Sequence, residues 1–170
     1  MGNDRPLVVF VGPPAAGKSR VGRRVAKMLD APFIDTDSVI SKEHGPIPEI
    51  FEEHGEAYFR DLERAAIINA LTQSAVVALG GGAVVDPDTR KDLGDQRVVL
   101  VTISADKVAP RLNPDKRPLL TGGLESWKAL VEQRQPWYEE VADVVFDTSS
   151  EPLDHIALQV VQWVEQELGT

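Results

Sequence analysis

The residues best equipped for chemistry lie near the N-terminus, where Gly12-Pro13-Pro14-Ala15-Ala16-Gly17-Lys18-Ser19 fits the spacing G-x-x-x-x-G-K-[ST]. Glycines in such a stretch allow dihedrals that a side chain would forbid. Successive backbone N–H groups can then turn inward around a polyphosphate at the positive end of the following helix. Lys18 adds a mobile positive charge for the β- and γ-phosphates, and the Ser19 hydroxyl is of the right type to ligate Mg²⁺. A glycine-rich turn with a surface lysine would look similar, but the flanks favour a phosphate-binding loop. The apolar, β-rich run Leu7-Val8-Val9-Phe10-Val11 precedes it, and Val21, Val25, Met28 and Leu29 follow at helical spacing.

Carboxylates come next. Pro32-Phe33-Ile34-Asp35 reads as a short buried strand ending in Asp35-Thr36-Asp37. In an open α/β sheet the carboxyl ends of strands carry the ligands, which places both aspartates in the crevice beside the loop. Asp37 or Ser38 is equally suited to cap the helix that follows. The run Ala75-Val76-Val77-Ala78-Leu79 suits a central strand buried on both faces, and it ends in Gly80-Gly81-Gly82. Three glycines cost backbone entropy, which suggests close approach of N–H groups to a ligand; a plain flexible turn is the alternative. No acidic residue ends this strand where many loop-type NTPases hold Mg²⁺, and Asp35 is the nearest replacement. Arg60 and Glu63, three residues apart on a helix, read by themselves as an exposed ion pair worth a few tenths of a kcal/mol.

Composition limits the partners. With 170 residues and 42% hydrophobic content the chain is expected to form one domain around a single core. There is no cysteine, hence no disulfide, thiolate metal site or cysteine nucleophile, and His44, His54 and His155 lack metal-ligand spacing. A net charge of −9 argues against nucleic acid or an anionic membrane as partner. No apolar run is long enough to span a membrane and the N-terminus lacks a signal-peptide core, so a cytoplasmic enzyme is expected. The anionic ligand of the loop requires a few basic groups to converge locally, with Lys18, Arg60, Arg111, Arg117 and Arg134 as candidates.

These groups need a scaffold. Residues 39–44 and 48–54 read as short helices separated by Gly45-Pro46, and a longer helix runs from Gly55 through Leu71 with Phe59, Leu62, Ala66 and Ala70 toward the core. Residues 87–93 form a short helix and 97–103 a fourth strand; a helix begins near Ala105 and breaks at Pro110 or Pro114. The stretch 113–123, rich in proline, charge and glycine, reads as a loop that Arg111 and Arg117 make suitable as a lid over phosphates. Helical pattern returns over 124–138, carrying Arg134, until Pro136 kinks or ends it. Residues 142–147 form a fifth strand. Ser149-Ser150-Glu151-Pro152 then starts a last helix with Leu153, Ile156, Ala157, Val160, Val164 and Leu168 on its apolar stripe. Five strands alternating with helices predict an α/β fold with a parallel sheet covered on both faces.

Taken in order, the loop, Asp35-Thr36-Asp37, Phe59-Arg60 with Glu63, Leu79-Gly80-Gly81-Gly82, Lys116-Arg117-Pro118-Leu119-Leu120 and Arg134-Gln135-Pro136-Trp137-Tyr138 resemble shikimate kinase. The resemblance runs from the first strand to the last helix. It implies a P-loop NTPase fold of the nucleoside-monophosphate-kinase kind with strand order 2-3-1-4-5, a substrate-binding region at about 38–64 and a lid at about 111–123. It further implies Mg²⁺-dependent transfer from ATP to the 3-hydroxyl of shikimate, in a monomer whose partners are these small molecules. By similarity Asp37 is base or positioner, with Lys18 and Arg117 at the transferring group. The loop from Gly12 to Ser19, Arg20, Arg111 and Arg117 meet ATP, and Ser19 and Asp35 the metal. Arg60, Arg134, Gly80, Gly81 and Gly82 hold shikimate, Glu63 orients Arg60, and Phe51 and Phe59 wall the ring. Two departures stand out. Ala15 replaces a common glycine, harmless if its φ is negative, and Ser149-Ser150-Glu151 stands where some members carry basic residues. A gluconate kinase-like enzyme on the same scaffold and a non-catalytic nucleotide-binding module are the rival readings; neither needs all of Asp37, Arg60, the triglycine, Arg117 and Arg134.

Overall fold

A run of four apolar residues with no polar interruption can be satisfied only between two other strands, and β1 (Val8–Val11) is wholly buried there. The computed structural model describes residues 4–112 and 123–169. Strand β1 pairs in parallel with β3 (Val76–Ala78) on one side and β4 (Val98–Thr102) on the other, Val9 lying opposite Val77 and Val98. β2 (Phe33–Asp35) extends the sheet beyond β3, and β5 (Val144–Asp147) extends it beyond β4. The order is β2-β3-β1-β4-β5, as expected. Parallel pairing demands crossovers, so helices cover both faces. On one face α1 (Lys18–Met28) and α7 (Leu153–Leu168) bury Val21, Val25, Ile156, Val160 and Val164. On the other lie α3 (Ile47–Ala70), α4 (Pro87–Leu93) and α6 (Leu124–Val141), through Ile67, Leu93 and Tyr138. A third, small cluster of Ile40, Ile50 and Phe59 joins α2 (Thr36–His44) to α3.

Several local expectations change. Met28 and Leu168 are exposed at 46% and 41%, and Ala26 and Val161 are buried instead. Both displaced residues are the last of their helices. The long helix α3 keeps its predicted break as a kink: the chain is helical on either side, but Gly55 between them has φ 84° and ψ 173°, which only glycine adopts easily. Pro136 does not end α6. Its ring and Glu132, whose carbonyl loses an N–H partner, are both exposed, so water can replace the missing bond while Tyr138 and Val141 anchor the next turn. The serines at 149 and 150 do not cap α7. Pro152 stands at its N-cap, and the Ser149 hydroxyl instead accepts from Ser104 N–H at 2.8 Å. The helix α5 (Ala105–Val108) stops before Pro110, where a 3-10 turn (Ala109–Arg111) follows. Most of the expected lid, with Lys116 and Arg117, lies outside the described residues. No helix among the described residues is long and apolar enough to cross a membrane.

Candidate active site

The phosphate loop is bound by its carbonyls. Lys18 Nζ, buried, donates to Gly12 O at 2.7 Å and Pro13 O at 2.8 Å. Trp127 Nε1 donates to Pro14 O at 2.8 Å, Arg111 Nη1 to Ala15 O at 3.2 Å, and Thr148 Oγ1 to Ala16 O at 2.6 Å. Five successive carbonyls are thus tied to side chains from the loop itself, α6, the 3-10 turn and the end of β5. Pro13 and Pro14 have no N–H and that of Ala16 closes a turn onto Pro13 O, so the loop's anion-facing donors are N–H groups from Ala15 and from Gly17 onward. Gly12 is required twice over, since its φ is 148° and a Cβ would run into the carbonyl of Val101. Ala15 overturns the condition set for it: its φ is 66°, in the left-handed region, where a non-glycine residue costs about 1–2 kcal/mol. Arg20 lies exposed on α1.

Asp35, not Asp37 or Ser38, caps α2. Its Oδ1 accepts from the N–H groups of Asp37 at 3.0 Å and Ser38 at 3.2 Å, and its Oδ2 accepts from the Ser19 hydroxyl. Ser19 and Asp35 therefore present two hard oxygen donors side by side at the mouth of the loop, a donor set that fits Mg²⁺.

Freed from capping, the Asp37 side chain turns toward β3. Its Oδ1 is buried without a hydrogen-bond partner among the described residues. Burial first, then the Glu63 and Asp35 carboxylates, push Asp37 up to about 7, against the pull of Lys18 and Arg60. The carboxyl is thereby poised near neutrality.

The triglycine is explained by space rather than by dihedral freedom, since none of the three has a positive φ. A Cβ on Gly80 would lie 2.6 Å from Asp37 Oδ1, one on Gly81 2.8 Å from Pro14 Cδ, and one on Gly82 2.5 Å from Arg60 Nη1. Acid, phosphate loop and arginine all press on this short segment.

Arg60 donates from Nη1 to Glu63 Oε1 at 2.8 Å, and from Nη2 to Glu56 at 3.2 Å. The Glu63 side chain is only 5% exposed and that of Arg60 20%, so this is not the exposed pair that spacing alone suggested. Burial works against the charge of Arg60, but Glu63 and Glu56 outweigh it and hold the guanidinium above its usual range. Burial raises Glu63, while Arg60 and Arg134 draw it back. Arg134, 4% exposed, has a buried Nε with no hydrogen-bond partner among the described residues. Both arginines thus act on the charge of one buried carboxylate, Arg60 through a direct ion pair. Phe51 lies 4.9 Å from Phe59 with the rings tilted by 38°, and Phe59 is itself buried in the α2–α3 cluster. Arg117 lies outside the described residues.

Three contacts escaped the sequence reading: the indole of Trp127 on Pro14, the hydroxyl of Tyr138 on Gly81 O at 2.6 Å, and Thr148 on Ala16. The helical pattern over 124–138 gave no hint of the partner of Trp127. For Tyr138 the i,i+4 relation to Arg134 was the available signal.

Parallel sheet, phosphate loop and an acid beside paired arginines define a P-loop phosphotransferase of the nucleoside-monophosphate-kinase kind. Among known proteins, the profile of the family described as "Shikimate kinase" matches residues 14–165. A shikimate kinase of Corynebacterium diphtheriae is 41% identical over 168 residues, covering 96% of this chain and 97% of that protein. One from Thermobifida fusca is 39% identical, with coverage of 98% and 96%. The structure of a shikimate kinase from Acinetobacter baumannii in complex with shikimate superposes with a TM-score of 0.87 at 28% identity, covering 96% of this chain and 94% of that one. The chain belongs to the shikimate kinase family.

Proposed function

We propose that this chain transfers the γ-phosphoryl group of ATP to the 3-hydroxyl of shikimate, yielding shikimate 3-phosphate and ADP. The observation that carries the reading is the placement of Asp37, its orphaned oxygen buried against Gly80 and within the electrostatic reach of Lys18 and Arg60. Phosphoryl transfer asks chiefly for positioning and charge neutralisation. Arg60 and Arg134 offer planar forks for the carboxylate of shikimate, and Glu63 holds Arg60 in place. Phe51 walls the ring with Phe59, and the backbone at 80–82 completes the acceptor side.

The acceptor oxygen attacks the γ-phosphorus, the bond to the ADP oxygen breaks, and the hydroxyl proton passes to Asp37, whose value near 7 suits a proton acceptor. Lys18 Nζ, held here by the Gly12 and Pro13 carbonyls, would turn to the transferring oxygens with ATP bound, with Arg117 completing their neutralisation from the lid at about 111–123 and Arg111 and Arg20 flanking the nucleotide. Ser19 and Asp35 would hold Mg²⁺, which neutralises the β- and γ-oxygens when bound with ATP. The chain is a single kinase domain with its acceptor region at about 38–64, and acts as a cytoplasmic monomer.

A coupled ADP-release assay run side by side on shikimate and gluconate tests the reading. Turnover is expected with shikimate, and activity on gluconate alone would overturn it.

A further inference from the structure

The helix α6 touches both halves of the site. Toward its N-terminal end, Trp127 Nε1 holds the carbonyl of Pro14 in the phosphate loop. About three turns on, the Tyr138 hydroxyl donates to the carbonyl of Gly81 in the acceptor segment at 2.6 Å. The two loops meet between these points, because a Cβ on Gly81 would strike the Pro14 ring. Just beyond the triglycine, Arg90 donates to Val84 O at 2.7 Å and Val85 O at 3.1 Å. Its guanidinium also lies 5.0 Å over the Trp137 ring of α6. Tyr138 is 1% exposed, and burial pushes its phenol up to about 12, against Arg134 and Arg60, so it remains a donor throughout the working pH range. Arg134, one turn earlier on the same helix, acts electrostatically on this hydroxyl. A phenylalanine would fill the same space in the core, so packing does not explain the hydroxyl.

We propose that Tyr138 is a positioning residue for the acceptor: its hydroxyl fixes the Gly81 peptide, and through α6 sets the spacing of the acceptor segment from the phosphate loop. Shikimate as the acceptor is taken from the function proposed above; the tie between Tyr138 and the triglycine is independent of it. Removing the donor leaves this partly buried carbonyl without its side-chain partner, enough to release the segment without unfolding the sheet.

The test is Tyr138→Phe, read in two ways. Steady-state kinetics are expected to show KM for shikimate raised roughly tenfold, with KM for ATP within about twofold of wild type. Amide hydrogen exchange is expected to quicken at residues 80–83 and to stay unchanged at residues 12–19. A KM for shikimate that does not move, equal losses for both substrates, or unaltered exchange at 80–83 each overturns the positioning role. Should wild type fail to phosphorylate shikimate, the substrate reading falls while the exchange measurement still decides for or against Tyr138.

Discussion

At the scale of single residues, the site turns on which of two neighbouring aspartates does which job. Asp35 satisfies the first N–H groups of α2 and meets Ser19, so Asp37 is left to face Gly80 with one oxygen unpartnered. Replacing Asp37 by Asn keeps the shape and removes the proton acceptor. We expect kcat to fall by roughly 10²-fold or more, with nucleotide affinity nearly unchanged; kinetics plus nucleotide titration check this, and an unaltered kcat would remove Asp37 from the chemistry. The same residue leaves a mark on stability. Its carboxyl ionises near 3.8 in the unfolded chain and near 7 in the fold. Between those values the folded state holds a proton that the unfolded state has lost, so stability falls as pH rises through this window and levels off above it. Thermal melts in chelator from pH 4 to 8 should therefore show Asp37→Asn gaining on wild type by about 1–3 kcal/mol. Melting curves that stay parallel over the window would contradict the burial of this charge.

At the scale of elements, the phosphate loop combines a strong sequence signal with a strained backbone. Ala15 sits at φ 66° while its carbonyl is held by Arg111. Ala15→Gly should relieve the left-handed penalty, less what the freer unfolded chain regains, for a net gain of up to about 1 kcal/mol, or a rise in Tm of about 2–4 °C. A lower Tm, measured by calorimetry, would mean that the strain is not real. The positions of these elements were legible from local pattern: apolar runs marked β1 and β3, and the glycine at 55 marked the break in α3. Contacts between elements were not. The triglycine promised a close approach, but only the fold shows that the partners are Asp37, Pro14 and Arg60. Spacing gave Arg60 and Glu63 as an exposed pair because an i,i+3 relation says nothing about what packs over it; here Glu63 is buried, and Arg134 on α6 also acts on its charge. The continuation of α6 past Pro136 was hidden for a similar reason, since it depends on which face of the helix meets water.

At the scale of the whole molecule, the charge balance and the site pull in opposite directions. The chain carries 27 acidic against 18 basic residues, yet its site gathers Lys18, Arg60 and Arg134 around a few carboxylates. An approaching anion first meets the field of the excess negative charge, and only within contact range the arginine forks. Salt separates the two ranges. The screening length shrinks from about 30 Å at 0.01 M to about 10 Å at 0.1 M, which removes distant repulsion while leaving short, partly buried contacts nearly intact. With nucleotide and Mg²⁺ saturating, raising NaCl from about 0.01 to 0.15 M should therefore leave KM for shikimate unchanged or lower it, by no more than about twofold. A several-fold rise over the same range would show that the cationic crevice projects its field well beyond contact. Binding would then rest on exposed charge rather than on the buried Arg60–Glu63–Arg134 arrangement.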